Sequence, residues 1–529
     1  MAHSTQHTDD PIPLVSQVAD VYSDKNAVLQ QGQRWDQMTS QFQNEFNHKP
    51  DFIARAPGRV NVIGEHVDHM GFGVLPAAIE LDILMAVRVV PASSEGAKEG
   101  SISFDLRNTT RRFGKTSFDS PLDDAASVEL IHQGDSRWAN YFKVAWKGLH
   151  PHLPKHVLSA APASQIQVLV DGTIPPESSL SSSAAMTVCS SIVILESLGA
   201  RPYISRREMA EVAIESERYV GVASGGMDQS ASIFGYPDSV LHIVFHPGLA
   251  ISRVQMPSPP PSEPECTFLV ANTLVVSDKK VNGPVQYNLR VVELLIAARV
   301  FARKHGLPLD DSTKTWRKLM DTFFQQKPQT SQSAEADKVR QSLGDEAAQI
   351  FVMSKLVEES LPHEPVSREE AEELSGYKGE AFKKEFLSQF EVRADKYDLF
   401  RRTRHVFAES LRVHQFRALC LSGSTSYSSL GSLMNDSHAS LARDYENTCP
   451  ELESIVTLAR EAGSLGSRLT GAGWGGSTVH LVPKEKVADV TEALRNGYYA
   501  KRWPELDEAG LKSAILESRP AGGACVMRF

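Results

Sequence analysis

Gln165-Ile166-Gln167-Val168-Leu169-Val170-Asp171-Gly172-Thr173-Ile174-Pro175-Pro176-Glu177-Ser178-Ser179-Leu180-Ser181-Ser182-Ser183-Ala184-Ala185 runs from one regular element through a turn into another. Residues 165–170 alternate polar and apolar, the period of a strand. Asp171-Gly172 and Pro175-Pro176 then break the chain into a serine-rich turn. Beyond it Ala185, Val188, Cys189, Ile192 and Leu195 fall on one helical face, with Gly199 as terminator. Ser205 caps the next helix, whose apolar face is Met209, Val212 and Ala213.

Upstream, Ile83–Val90 reads as a buried strand and Ser101–Leu106 alternates with period two. Downstream, 254–266 holds five prolines and is a loop, assigned to a domain junction. Cys266 to Val276 reads as a buried strand and Asn288 to Lys304 as a long helix. Residues 307–395 are polar with helical patches, Pro328 to Asp337 being the expected flexible piece. Helical periodicity resumes over 396–464, and Ser477–Val482 closes as a strand. Alternating strands and helices predict an α+β chain.

The 529 residues are 41% apolar and 23% charged, and that length predicts two domains rather than one core. A net charge of -10 argues against a nucleic-acid footprint. No run of 18 apolar residues exists, so no membrane span is expected. Five scattered cysteines form no metal-ligand spacing, which suits free thiols in a reducing cytoplasm. Met1–His7 has neither the basic start nor the apolar stretch of a signal peptide. Residues 1–48 read as a partly ordered polar extension.

Four segments carry chemistry. The turn Ser178–Ala185 precedes a helix whose free N–H groups suit polyphosphate, although a serine-rich helix cap has the same pattern. Ala56-Pro57-Gly58-Arg59-Val60-Asn61-Val62-Ile63-Gly64-Glu65-His66-Val67-Asp68 packs a cation, two acids and a histidine together. It fits either sugar hydroxyls or an ion-pair network. Gly471-Ala472-Gly473-Trp474-Gly475-Gly476 lets backbone approach a ligand, or simply turns. Ser224-Gly225-Gly226-Met227-Asp228-Gln229 sets an aspartate on a Gly-Gly turn. Asp228 becomes a candidate base only if the other segments converge on it.

Taken together, these segments resemble the GHMP family of small-molecule kinases and, within it, the galactokinases of fungal type. The likeness extends through Trp138–Tyr141, Ala271–Ser277, Tyr287–Arg290, Leu433–His438 and Ser467–Thr470. It implies a ribosomal-protein-S5-like domain over 49–260 and a ferredoxin-like domain over 261–529, the latter with a helical insert at about 307–395. It further implies an ATP-dependent galactokinase with Mg²⁺. Asp228 matches the family's catalytic aspartate and Arg59 its partner. Glu65, His66, Asp68, Gly226 and Tyr287 match the sugar site. Trp138, Ser179, Leu180, Ser181, Ser182, Ser183 and Ala184 match the nucleotide site, and Ser183 (or Ser182) with Glu217 the metal ligands.

The resemblance implies galactose and ATP as partners, with no nucleic acid and no membrane. Two relatives of the family set alternatives. One is an N-acetylgalactosamine kinase, disfavoured by Tyr287. The other is a galactose- and ATP-binding signal transducer that contacts a transcriptional repressor, disfavoured as a non-catalytic protein by the intact Ser183-Ala184-Ala185. Three departures stand out: Ser179 replaces the usual glycine, His69 a tyrosine and Ser477 a cysteine. If position 179 needs a positive φ, serine is strained there.

Overall fold

A computed structural model describes residues 8–22, 25–94, 98, 100–161, 163–220, 225–275, 283–389, 391–423 and 425–529. Ser224, Val276, Ser277 and Met1–His7, used in the sequence reading, lie outside the described residues. The strands are β1 Leu14–Val15, β2 Phe52–Ile63, β3 Leu75–Pro91, β4 Ser101–Asn108, β5 Thr116–Pro121 and β6 Ala163–Gly172. They continue as β7 Ser239–Val244, β8 Ala250–Gln255, β9 Cys266–Asn272, β10 Val366–Ser367 and β11 Lys396–Tyr397. The last four are β12 Gly466–Thr470, β13 Ser477–Pro483, β14 Ile515–Ser518 and β15 Cys525–Arg528.

Seven strands form a mixed sheet in the order β1-β15-β2-β3-β6-β4-β5, and four form an antiparallel sheet in the order β12-β13-β9-β14. Two sheets, each with its own helices, bear out the two-domain α+β expectation. All twelve residues of β2 are buried, because helices cover both faces of the larger sheet. One cover is the helix Ser182–Ser197, whose fourteen residues from Ala184 to Ser197 are buried. It is therefore buried all round rather than along the single stripe that its spacing predicts.

The second cover corrects the reading of residues 1–48. Lys25–Phe46 is a 22-residue helix that buries Trp35, Met38, Phe42 and Phe46 on Ile53, Leu84, Ala86 and Leu169. Each of those side chains adds about 2 kcal/mol of burial, more than a loose polar extension supplies. The helix is polar on average, and this hides a stripe spaced 35, 38, 42, 46. Arg34 ties it down, donating to Asp82 and Asp171 at 2.6 Å each.

The chain's end also crosses domains. β15 pairs antiparallel with β2 (Cys525 opposite Arg55), so the span 261–529 contributes a strand to the larger sheet. The proline-rich segment is a loop that joins β8 to β9 and so connects the two sheets' neighbourhoods. β9 stops at Asn272, four residues short of the expected end, where Thr273 turns to bond Gly476. Pro328–Asp337, expected as the flexible piece, takes regular structure: a 3-10 turn Pro328–Ser331 leads to Ser333, which caps the helix Ala334–Leu343.

Candidate active site

The serine-rich turn holds three residues with positive φ: Glu177 (59°), Ser179 (62°) and Ser181 (65°). Ser181 is the N-cap of the helix Ser182–Ser197, so the helix start opens directly onto the turn. The strain anticipated at Ser179 is thus present. What accommodates its side chain is the third glycine-rich segment. A Cβ on Gly471 would lie 2.7 Å from Ser179 Cβ, and one on Gly476 would lie 2.1 Å from Ser179 Oγ. Ser477 Oγ adds a hydrogen bond to the Ser178 carbonyl at 2.7 Å. Two segments almost 300 residues apart therefore fit only as a pair.

β2 delivers Arg59 to the same turn, its backbone N–H donating to the Leu180 carbonyl at 3.2 Å. The guanidinium then spans two segments. Nη1 donates to the Ser179 carbonyl at 2.7 Å, while Nε and Nη2 lie 2.8 and 2.7 Å from Asp228 Oδ1. Both carboxylate contacts use Oδ1, which leaves Oδ2 outside the ion pair. Asp228 sits in the first turn of the helix Met227–Phe234, behind Gly226 at φ 106°. Arg59 is buried, whereas the Asp228 side chain is 23% exposed and so stays open on one side.

Around this pair lie other residues of the segment Ala56–Asp68. Gly225 presses on it: a Cβ there would come 2.3 Å from the Asp68 carboxylate and 2.6 Å from His69 N. The sequence reading chose Gly226 and passed over Gly225, whose contact is visible only in three dimensions. Burial alone would raise Asp68, but His69, with Nδ1 at 3.6 Å, holds its carboxyl below the usual value. Tyr287 heads the helix Tyr287–Lys304, its ring 5.6 Å from that of His66. Burial, then the charge of Asp68, pushes the Tyr287 phenol well above its ordinary range.

Glu65 and His66 are both buried. Glu65 Oε2 accepts from Arg468 Nη2 at 3.0 Å, yet burial outweighs the pull of that cation and raises the carboxyl to about 7. His66, at φ 60°, bonds the Ala472 carbonyl through Nε2 at 3.0 Å. Burial, with help from His69 and His405, keeps its imidazole neutral.

Several positioning residues escaped the sequence reading. Arg468 on β12 also donates to the Asn61 carbonyl at 2.6 Å. Glu409, in the helix Leu399–Leu421, accepts from the N–H groups of Gly64 (2.8 Å) and Glu65 (3.1 Å). His405, one turn earlier, bonds the Glu65 carbonyl at 3.0 Å. These contacts span more than 300 residues, so no local pattern announces them.

The nucleotide and metal candidates are Trp138, Glu217, Ser182 and Ser183. Trp138 is half-buried, its Nε1 donating to the Gly114 carbonyl at 3.0 Å. Glu217 ends the helix Arg206–Glu217 as a buried carboxylate, and with burial its charge raises the Tyr141 phenol to about 12. Ser182 and Ser183 open the helix Ser182–Ser197, half-buried. A hydroxyl and a carboxylate are hard oxygen donors that fit Mg²⁺, which takes few protein ligands.

Comparison with known proteins agrees along the chain. Residues 40–89 match the galactokinase galactose-binding signature, 140–236 the GHMP kinase N-terminal domain and 416–500 the GHMP kinase C-terminal region. A galactokinase of Saccharomyces cerevisiae is 37% identical, with 92% of this chain and 93% of that protein aligned. One of Schizosaccharomyces pombe is 34% identical, with 94% and 95% aligned. The fold is shared with Lactococcus lactis galactokinase, solved with galactose: TM-score 0.61 at 21% identity, covering 93% of this chain and 99% of that one. The chain belongs to the galactokinase family of GHMP kinases.

Proposed function

We propose that this chain transfers the γ-phosphoryl group of ATP to the anomeric hydroxyl of galactose, with Asp228 and Arg59 at the reaction centre. One observation carries the reading: a single guanidinium joins the Asp228 carboxylate to the backbone of the phosphate turn. Oδ2 of Asp228 takes the proton of the sugar hydroxyl as the O1–phosphorus bond forms and the bond to the departing ADP breaks. Arg59 holds the carboxylate in place and offsets the charge that develops on the transferring group.

Glu65, His66, Asp68, Gly226 and Tyr287 surround the sugar, and His66 and the carboxylates supply acceptors for its hydroxyls. The turn from Ser179 to Ala184 offers N–H and O–H donors to the phosphates, with Trp138 beside the nucleotide. Ser183 and Glu217 would hold Mg²⁺, which supplies charge neutralisation on the phosphates when bound. We take the domain halves as 49–260 and 261–529, the latter lending β15 to the larger sheet, with the site where Gly471–Gly476 meets Ser178–Ser179. Free thiols at all five cysteines support a cytoplasmic setting.

Replacing the base is the direct test. Asp228→Ala should lower kcat for galactose by about a thousandfold or more while calorimetric galactose binding stays within a few fold. Residual turnover near a tenth of wild type sinks the assignment. The same coupled assay with N-acetylgalactosamine and glucose tests the sugar. A higher kcat/KM for the acetamido sugar would reassign the substrate.

A further inference from the structure

Tyr445 is fully buried, and its ring stacks on that of His66 with centroids 4.4 Å apart and planes 28° apart. It ends a single π-helical turn, Leu441–Tyr445, after which Glu446 takes a left-handed φ of 55°. Such turns recur at functional positions. This one is held by two buried arginines: Arg290 Nε donates to the Tyr445 carbonyl at 2.7 Å, and Arg402 Nη1 to the Asp444 carbonyl at 2.5 Å. Both guanidiniums also meet Glu293, at 3.2 and 3.1 Å. The Tyr445 hydroxyl is buried with no hydrogen-bond partner among the described residues, so its contribution to neighbours comes through the ring.

The chemistry of His66 says what that ring protects. A carbonyl only accepts, so the bond to Ala472 fixes the imidazole proton on Nε2 and leaves Nδ1 as a bare acceptor. Protonation would turn Nδ1 into a donor and reverse what it can recognise. The titratable groups facing His66 are Asp68 and His69 from its own loop, His405 from Leu399–Leu421, Tyr287 from Tyr287–Lys304, and Tyr445 itself. Of these, Tyr445 lies closest in ring-to-ring distance and covers one face of the imidazole.

We propose that Tyr445 is a positioning residue for sugar recognition: its ring keeps water off His66 and so keeps the imidazole uncharged, and Nδ1, left bare by the Nε2–H bond to Ala472, accepts from a galactose hydroxyl. The inference rests on the galactokinase reading above and assigns a specific hydrogen-bond polarity to one ligand within it.

Steady-state kinetics of wild type, Tyr445→Phe and Tyr445→Leu between about pH 8 and pH 5.5 test it. Each galactose KM is divided by the wild-type value at the same pH, which removes titrations common to all three chains. With the ring gone, His66 returns toward its ordinary pKa, so the Leu ratio should climb about tenfold by pH 5.5. The ATP KM and the saturating kcat should move little, and Tyr445→Phe should restore the wild-type profile. Should the Leu variant not fold, Tyr445→Met, which refills the volume without a ring, takes its place. A ratio flat with pH overturns the proposal, and so does a Phe variant as impaired as Leu. A wild-type chain inactive on galactose would instead overturn the functional reading.

Discussion

At the scale of single residues, Ser179 concentrates a conflict between backbone and site. Its φ of 62° costs a residue with a Cβ about 1 kcal/mol that glycine would not incur. Its side chain nevertheless fills the space left by the missing Cβ atoms of Gly471 and Gly476. Strain and packing therefore oppose each other in the turn that we assign to phosphate. Ser179→Gly should relieve the strain and loosen the contact, leaving stability within about 1 kcal/mol of wild type. With this turn assigned to the nucleotide as proposed, and its Ser179 carbonyl held by Arg59, the ATP KM should change more than the galactose KM. Parallel KM measurements check this; a shift in the galactose KM alone would place the residue's influence elsewhere.

At the scale of elements, the loop that carries Gly64 and Glu65 is shaped from a distance. Glu409 reaches across from Leu399–Leu421 to accept from Gly64 and Glu65, while Ser437 and Arg412 each donate to it at 2.8 Å. Burial opposes its charge, but Arg412 and Arg468 prevail and hold the carboxyl down at about 2. Glu409→Gln keeps the shape and removes the charge. Charge-assisted bonds of this kind contribute about 1.5–3 kcal/mol, so the galactose KM should rise about tenfold or more with the ATP KM unmoved. A galactose KM within about twofold of wild type would show that the loop holds itself. The loop's own residues were readable in sequence because Arg59, Glu65, His66 and Asp68 crowd into ten positions. Glu409 was not, since a glutamate in an amphipathic helix looks like any solvated one until the fold brings position 64 against it.

For the whole molecule, the same division between local and distant information holds. Strand β6, the serine-rich turn and its helix follow from alternation, prolines and periodicity inside some thirty residues. The return of Cys525–Arg528 to β2 and the docking of Lys25–Phe46 do not, because each depends on pairing across the chain. Histidines shielded from water in both halves of the chain bear on its acid stability. Burial lowers His242 to about 3, His405 to about 4 and His480 to about 3, each without a proton at neutral pH. His480 is held by hydroxyls, with Ser467 Oγ at 2.8 Å and Thr478 Oγ1 at 2.7 Å, which serve a neutral ring. The unfolded chain protonates these rings near pH 6.5 and the folded chain does not, so the unfolded state binds more protons as pH falls. Their stabilisation is complete above pH 6.5 and is lost on acidification, at about 1.4 kcal/mol per pH unit for each histidine. Glu65, raised to about 7, works the other way by a single proton and cannot offset three. The urea midpoint should therefore fall steadily from about pH 7 to pH 5, before most carboxylates titrate. His480→Gln should flatten that slope by one proton's worth. A midpoint that stays level or rises over this range would mean that the buried histidines are charged in the folded chain.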